Sequence, residues 1–208
     1  MDQVTATATS RRSRLAFLGL ALVAALAFAG CGGAGSRQPA SSGTTAASSG
    51  AFAWLSPAAP PGGWTVAHLP SGRAALAYPP GWKPIKTDPG TVSAALMGKH
   101  RLIRGYLNAT PRQGAESLAN WAHFRTAHNR HEGDFALVTE AAATGLRFRT
   151  GIGSCVIDSY ATSSAHYREI ACLVSGPRAS TVVVGAALPR DWSRLAPQIE
   201  RAISTFAT

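Results

Sequence analysis

Acidic residues are scarce in this chain. Its 208 residues include ten aspartates and glutamates against twenty lysines and arginines, and only three of those cations are lysine. Cysteine occurs three times and methionine twice. With so few carboxylates, widely spaced at Asp88, Asp134, Asp158 and Asp191, no acid–base pair can be read from the sequence. The longest uncharged apolar run is Leu15 to Gly30, sixteen residues, short of the roughly 20 that a membrane-spanning helix needs. Catalytic signatures are missing too. There is no G-x-S-x-G; Gly151-Ile152-Gly153-Ser154-Cys155 lacks the spacing of a nucleophile elbow. Gly32, Gly33 and Gly35 have neither a strand before them nor a helix after them, so they form no phosphate loop. The sequence predicts no cofactor and no enzyme.

The short apolar run has a direction. Arg11, Arg12 and Arg14 precede it and small residues end it at Cys31, the layout of a secretory signal peptide over residues 1–30. Phe28-Ala29-Gly30-Cys31 resembles the bacterial lipobox, with Phe in the usual Leu place. The resemblance implies that Cys31 carries a diacylglyceryl group and becomes the mature N-terminus. Two acyl chains suffice for stable anchoring on the extracytoplasmic face of the plasma membrane. Arg11-Arg12 is similar to a twin-arginine signal, but Arg14 stands where that pattern wants an aromatic residue, so the general secretory route is expected.

Beyond residue 30 the chain keeps 17 basic and 9 acidic residues, a net charge of about +8. Outside the cell this favours an anionic envelope component, or another envelope protein, over nucleic acid. Arginine and alanine are abundant, as in high-GC coding sequences of the actinobacterial kind. Residues 31–63 read as the lipidated Cys31 and a tether, Gly/Ser/Thr-rich to residue 50 and Ala/Pro-rich after it, with Trp54 placed to pack on the domain. The domain is expected over 64–207.

Within it, residues 64–68 and 74–78 alternate as strands around a Pro70-Ser71-Gly72 turn. Two more strands are expected at 92–97 and 102–109. Thr110-Pro111-Arg112-Gln113 fits a capping box, although Gly114 weakens a first turn there and allows a start near Glu116. Leu118, Trp121, Phe124 and His128 form one helical face, with Gly133 as the stop. Four strands follow, at 135–143, 146–160, 167–175 and 181–187. Asp191 is placed to cap a closing helix, which Pro197 should start or kink. The result is an α+β domain, a mostly antiparallel sheet covered by two helices.

Tyr78-Pro79-Pro80-Gly81-Trp82, the helix with Trp121, and the closing Ile203-Ser204-Thr205-Phe206 resemble the PsbP-like fold, and within it the LpqN-type lipoproteins of actinobacteria. The resemblance implies an α/β sandwich used as a binding or accessory module, with no shared catalytic set. The function expected is a non-enzymatic, lipid-anchored envelope protein. The alternatives are a carrier of a lipid or apolar ligand, and an envelope hydrolase or transferase.

Several side chains are candidates for chemistry. Arg147 and Arg149 alternate with Leu146 and Phe148, so one strand face would present both guanidinia to an anionic ligand. His128, His131 and Glu132 have neighbouring helical spacing but lack further ligands, and no metal is expected. Tyr78, Trp82, Trp121 and Trp192 are read as core rather than groove. The numbers of facing residues in a hairpin have a constant sum. A tight turn at Ser163-Ser164 therefore sets Cys155 opposite Cys172 as a disulfide. That register also sets Ile157 against Ile170, and Asp158 against Glu169 on the other face. The two carboxyls are expected on a solvated surface near Arg168; in a dry cleft one of them would hold its proton.

Overall fold

A computed structural model describes residues 50–208. The signal peptide, Cys31 and the tether to residue 49 lie outside the described residues. Nine strands and two long helices follow in the order β1 Thr65–His68, β2 Ala75–Tyr78, β3 Lys83–Ile85, β4 Val92–Met97, β5 Ile103–Pro111, α1 Trp121–His131, β6 Phe135–Arg147, β7 Ile152–Ala161, β8 His166–Ser175, β9 Ser180–Ala187 and α2 Pro189–Thr205. Strands β3 to β9 form one antiparallel sheet in the order β3-β4-β5-β9-β8-β7-β6, and β1 pairs with β2 apart from it. The fold class is α+β, as the strand pattern implied.

Side-chain alternation divides the sheet's residues between two faces. One face carries Leu107, Ala109, Cys155, Ile157, Ile170, Cys172, Val174 and Val183, all buried. Helix α2 lies on it with Leu195, Ile199, Ala202 and Ile203, and β2 adds Leu76 and Tyr78. The helix comes so close to β9 that a Cβ built on Gly185 would lie 2.3 Å from Ile199 Cγ2. Only glycine fits there. Arg104 of β5 holds the first turn of α2, donating from Nε to Asp191 Oδ2 at 3.0 Å and from its second nitrogen to Oδ1. Asp191 is therefore not the cap: Leu188 occupies that position, Pro189 starts the helix, and Pro197 lies inside it. Phe52 is also part of this core, with Ala51, Trp54 and Leu55 against it, so the lead-in is packed from about residue 51.

The hairpin β7–β8 has the register derived from the sequence. Cys155 faces Cys172, Ile157 faces Ile170 and Asp158 faces Glu169. The two cysteines are joined by a disulfide, with Cα atoms 4.1 Å apart. That spacing suits a non-hydrogen-bonded pair, near 4.5 Å, rather than a bonded one near 5.5 Å. The Ser163-Ser164 turn uses no left-handed residue. Thr162 Oγ1 accepts instead from the Ser164 and Ala165 amides, both at 3.1 Å. A hydroxyl thus does what Asn-Gly backbone geometry does in other tight turns.

Three boundaries differ from the sequence reading. Strand β3 was not foreseen. Strand β6 runs unbroken to Arg147, the chain reverses at 148–151, and β7 starts at Ile152. Thr110 and Pro111 do not open a helix. They end β5, where Pro111 is the register partner of Thr181 on β9. Sheet pairing overrides the local capping signal.

Candidate functional site

The second face of the sheet has both an apolar and a polar part. Trp121 of α1 packs on Val156, Ala171, Leu173, Val182 and Val184, and its indole N–H donates to the Ala171 carbonyl at 2.9 Å. Helix α1 has 11 residues and lies against β6, β7 and β8. Beside it, toward β4 and β5, a cleft of about 360 Å³ remains.

Thr87, Thr91, Tyr106, Asn108, Arg125 and Glu169 are among its walls. A chain of hydroxyls and an amide crosses the β4–β5 side. Asn108 Nδ2 donates to Ser93 Oγ at 2.7 Å, and Thr87 Oγ1 shares hydrogen bonds with Ser93 Oγ at 2.8 Å and Thr91 Oγ1 at 2.7 Å. Toward the apolar end a second recess, of about 260 Å³, continues past Trp121, Phe124, Pro111 and Val182. The two share Thr110, Gln113, Arg125, His128 and Val182. The Trp121, Phe124 and His128 rings stack along α1 at centroid distances of 6.2 and 6.0 Å.

The helix is held here by an ion pair. Arg125 donates to both oxygens of Glu169, at 2.7 and 2.8 Å. Tyr160 donates to Glu169 Oε2 at 3.3 Å. Trp121, Arg125 and Asn129 occupy the inner line of α1 at successive i, i+4 positions, and Asn129 is buried. The apolar stripe Leu118-Trp121-Phe124-His128 marks only one flank of that line. Arginine and asparagine on a helix read as solvated residues, which is why sequence reasoning missed them. The strand partner Glu169 was named, but without the helical cation.

Asp158 and Glu169 are not on a solvated surface. They are 0% and 1% exposed. Arg168, the expected screen, points away, bonding Glu140 and lying over the Trp192 ring at 4.7 Å. Neither carboxyl oxygen of Asp158 has a hydrogen-bond partner, nor does either side-chain polar atom of Asn129. Burial, and then the neighbouring Glu169 charge, push the Asp158 pKa up to about 8. Both causes favour the protonated form of Asp158. The same two causes push the Tyr160 phenol up. Asp134 is raised by burial and by the charges of Glu132 and Glu169.

The other sequence candidates lie elsewhere. Arg147 is the exposed last residue of β6, and Arg149 is exposed in the turn after it, not on the same strand. Arg149 donates to the Thr205 carbonyl at 3.3 Å, at the end of α2. His128 Nε2 lies 3.1 Å from Glu132 Oε1. No group of three metal-ligating side chains occurs among the described residues. Tyr78, Trp82 and Trp121 are buried, while Trp192 is partly so. Glu116 does not start α1. Its carboxylate accepts from the Gln113 and Gly114 amides at 2.6 and 2.7 Å, bracing the loop that leads into the cleft wall. Gly133 does end α1, at φ 96°, with its amide donating to Arg130 and that of Asp134 to Asn129.

No protein-family model matches the chain, and no curated protein matches it in sequence. Solved structures match it in shape. The PsbP protein of the cyanobacterium Synechocystis (CyanoP) is 10% identical, with 70% of this chain and 92% of that one covered and a TM-score of 0.51. PA94 of Pseudomonas aeruginosa, of unknown function, is 14% identical over 69% of this chain and 96% of its own, at a TM-score of 0.45. LpqN of Mycobacterium tuberculosis, involved in cell envelope biogenesis, is 15% identical over 70% and 91%, at 0.41. The likeness to CyanoP establishes a PsbP-like fold.

Proposed function

We propose that the protein is a lipid-anchored, non-enzymatic binding module of the cell envelope, with its ligand seat in the cleft beside α1. The observation that carries this reading is the wall chemistry. The cleft gathers hydroxyls, an amide and carboxylates from the β3–β4 loop, β5, β7, β8 and α1, and these groups hydrogen-bond rather than react. The acids most suited to catalysis are out of use. Asp158 is fully buried, and Glu169 is neutralised by Arg125. Neither is free for acid–base work on a molecule in the cleft. A carrier of apolar ligands would need a dry cavity, whereas this one is polar over most of its wall. The envelope location rests on the Arg-rich leader and the lipobox-like end at Cys31. The exposed Arg147–Arg149 turn, on the α2 side, is the surface proposed for an anionic envelope component.

The test is affinity capture from envelope extract with a photo-crosslinking residue at Thr91 or Gln113, and a control at exposed Val66. A partner that crosslinks from the cleft positions and not from Val66 is expected. Equal labelling from all three positions counts against a seat in the cleft.

A further inference from the structure

We infer, resting on the binding reading above, that the cleft takes a saccharide without negative charge, neutral or amino-bearing. The chain as a whole is strongly basic, at +10, yet its cleft is not. Among the described residues Arg125 is the only arginine on the wall and no lysine is present there, and both guanidinium contacts are committed to Glu169. His128 is engaged by Glu132. Asp88 and Asp134 add two more carboxylates to the wall. An anion entering would shed water, find no unpaired cation, and meet these carboxylates at close range. Asp134 is raised first by burial and then by the charges of Glu132 and Glu169, so part of its displacement comes from the same local field.

Hydroxyl groups fit this wall on both counts. Carboxylate oxygens accept from them, and Asn108, Thr91 and Tyr106 offer neutral donors and acceptors alongside. The recess past Phe124 and Val182 supplies an apolar wall for the C–H face of a sugar ring. A cleft of about 360 Å³ is at the small end of the range for small-molecule sites, the scale of one or two sugar units.

The experiment uses the full chain in a zwitterionic, sugar-free detergent. Cellobiose, a glucosamine disaccharide and a glucuronate-terminated disaccharide are titrated by saturation-transfer NMR. The first two are expected to bind, and the glucuronate probe at least tenfold more weakly. Asp88→Asn/Asp134→Asn, at two partly or fully exposed positions, should narrow that gap by raising glucuronate binding. Glucuronate binding as tight as cellobiose overturns the inference. So does the absence of binding by all three. In that second case, a crosslinked non-saccharide partner from Thr91 leaves the binding reading standing, and no cleft crosslink removes both.

Discussion

Asp158 and Glu169 are direct cross-strand partners in the β7–β8 hairpin, both buried, and only Glu169 has a counter-ion. Two carboxyls this close in a dry setting cannot both ionise cheaply. The pair therefore divides its roles. Glu169 is the anion that fastens α1 through Arg125, and Asp158 keeps its proton.

Replacing Asp158 by Asn tests this division. The pKa is raised in the fold, from 3.8 to about 8, so the native state binds the proton more tightly than the unfolded chain. The stability this gives is fully present below pH 3.8 and is lost as pH rises from there through about 8. Glu169, Arg125, Glu140 and Asp134 set the surrounding field. Asp158→Asn should thus be nearly neutral at pH 4 and stabilising by on the order of a few kcal/mol at pH 9. Urea melts across pH 4 to 9 measure it. An Asp158→Asn effect that does not grow with pH would mean the carboxyl is ionised in the fold.

Arg125→Met leaves Glu169 buried without its cation. Breaking one side of a buried pair costs about 3–5 kcal/mol, whereas replacing both sides with apolar groups is often close to neutral. Thermal unfolding should show Arg125→Met strongly destabilised and Arg125→Met/Glu169→Leu largely recovered. A cost under about 1 kcal/mol for Arg125→Met, the range of an exposed pair, would contradict the buried geometry.

The sheet was legible because alternation and turn residues are local signals. The α2 face was legible too, since Ile199, Ala202, Ile203 and Phe206 fall on one helical face. The cleft was not. Its charged helical contribution, Arg125, hides among exposed polar residues of α1. Its meaning depends on β8 lying beneath, a non-local fact. Even the correct pairing of Asp158 with Glu169 did not disclose burial, because register says which residues share a face but not what covers it. The Thr110 to Gln113 signal failed for a similar reason: the contact between those side chains exists, at 3.3 Å, but in a loop after a strand paired to β9.

Gly185→Ala tests the approach of α2. The added methyl would lie 2.3 Å from Ile199 Cγ2 and 3.2 Å from Leu107 Cδ2, both in the packed core. Overpacking at such a site typically costs 1–3 kcal/mol. Gly185→Ala/Ile199→Ala removes the clash and should recover part of the loss relative to Ile199→Ala alone. Strict additivity of the two single costs would show that the methyl and Ile199 never meet.

Cys31→Ala tests the anchor independently of the fold. Metabolic labelling with a fatty-acid analogue should mark the wild-type chain and not the variant, which should accumulate as an uncleaved precursor. Undiminished labelling of Cys31→Ala would remove the lipobox reading.

The disulfide offers the sharpest check on register. Cys155 and Cys172 lie in the core facing α2, at 1% and 0% exposure, on the opposite side of the sheet from the cleft. Their bond closes a loop whose ends are 17 residues apart, for which chain entropy gives about 3 kcal/mol. Cys155→Ala/Cys172→Ala should therefore lower stability by about that amount, with some loss of core volume added. Because the sulfurs are screened from solvent, a mild reductant should leave the native protein intact and act only on the unfolded chain. Saccharide binding should survive the double substitution under conditions where the chain stays folded, since the bridge is on the opposite face of the sheet from the cleft. Non-reducing peptide mass spectrometry decides the pairing. Recovery of Cys155 and Cys172 as separately alkylated peptides without reductant would remove the disulfide, and with it the chemical support for the β7–β8 register that sets Asp158 opposite Glu169.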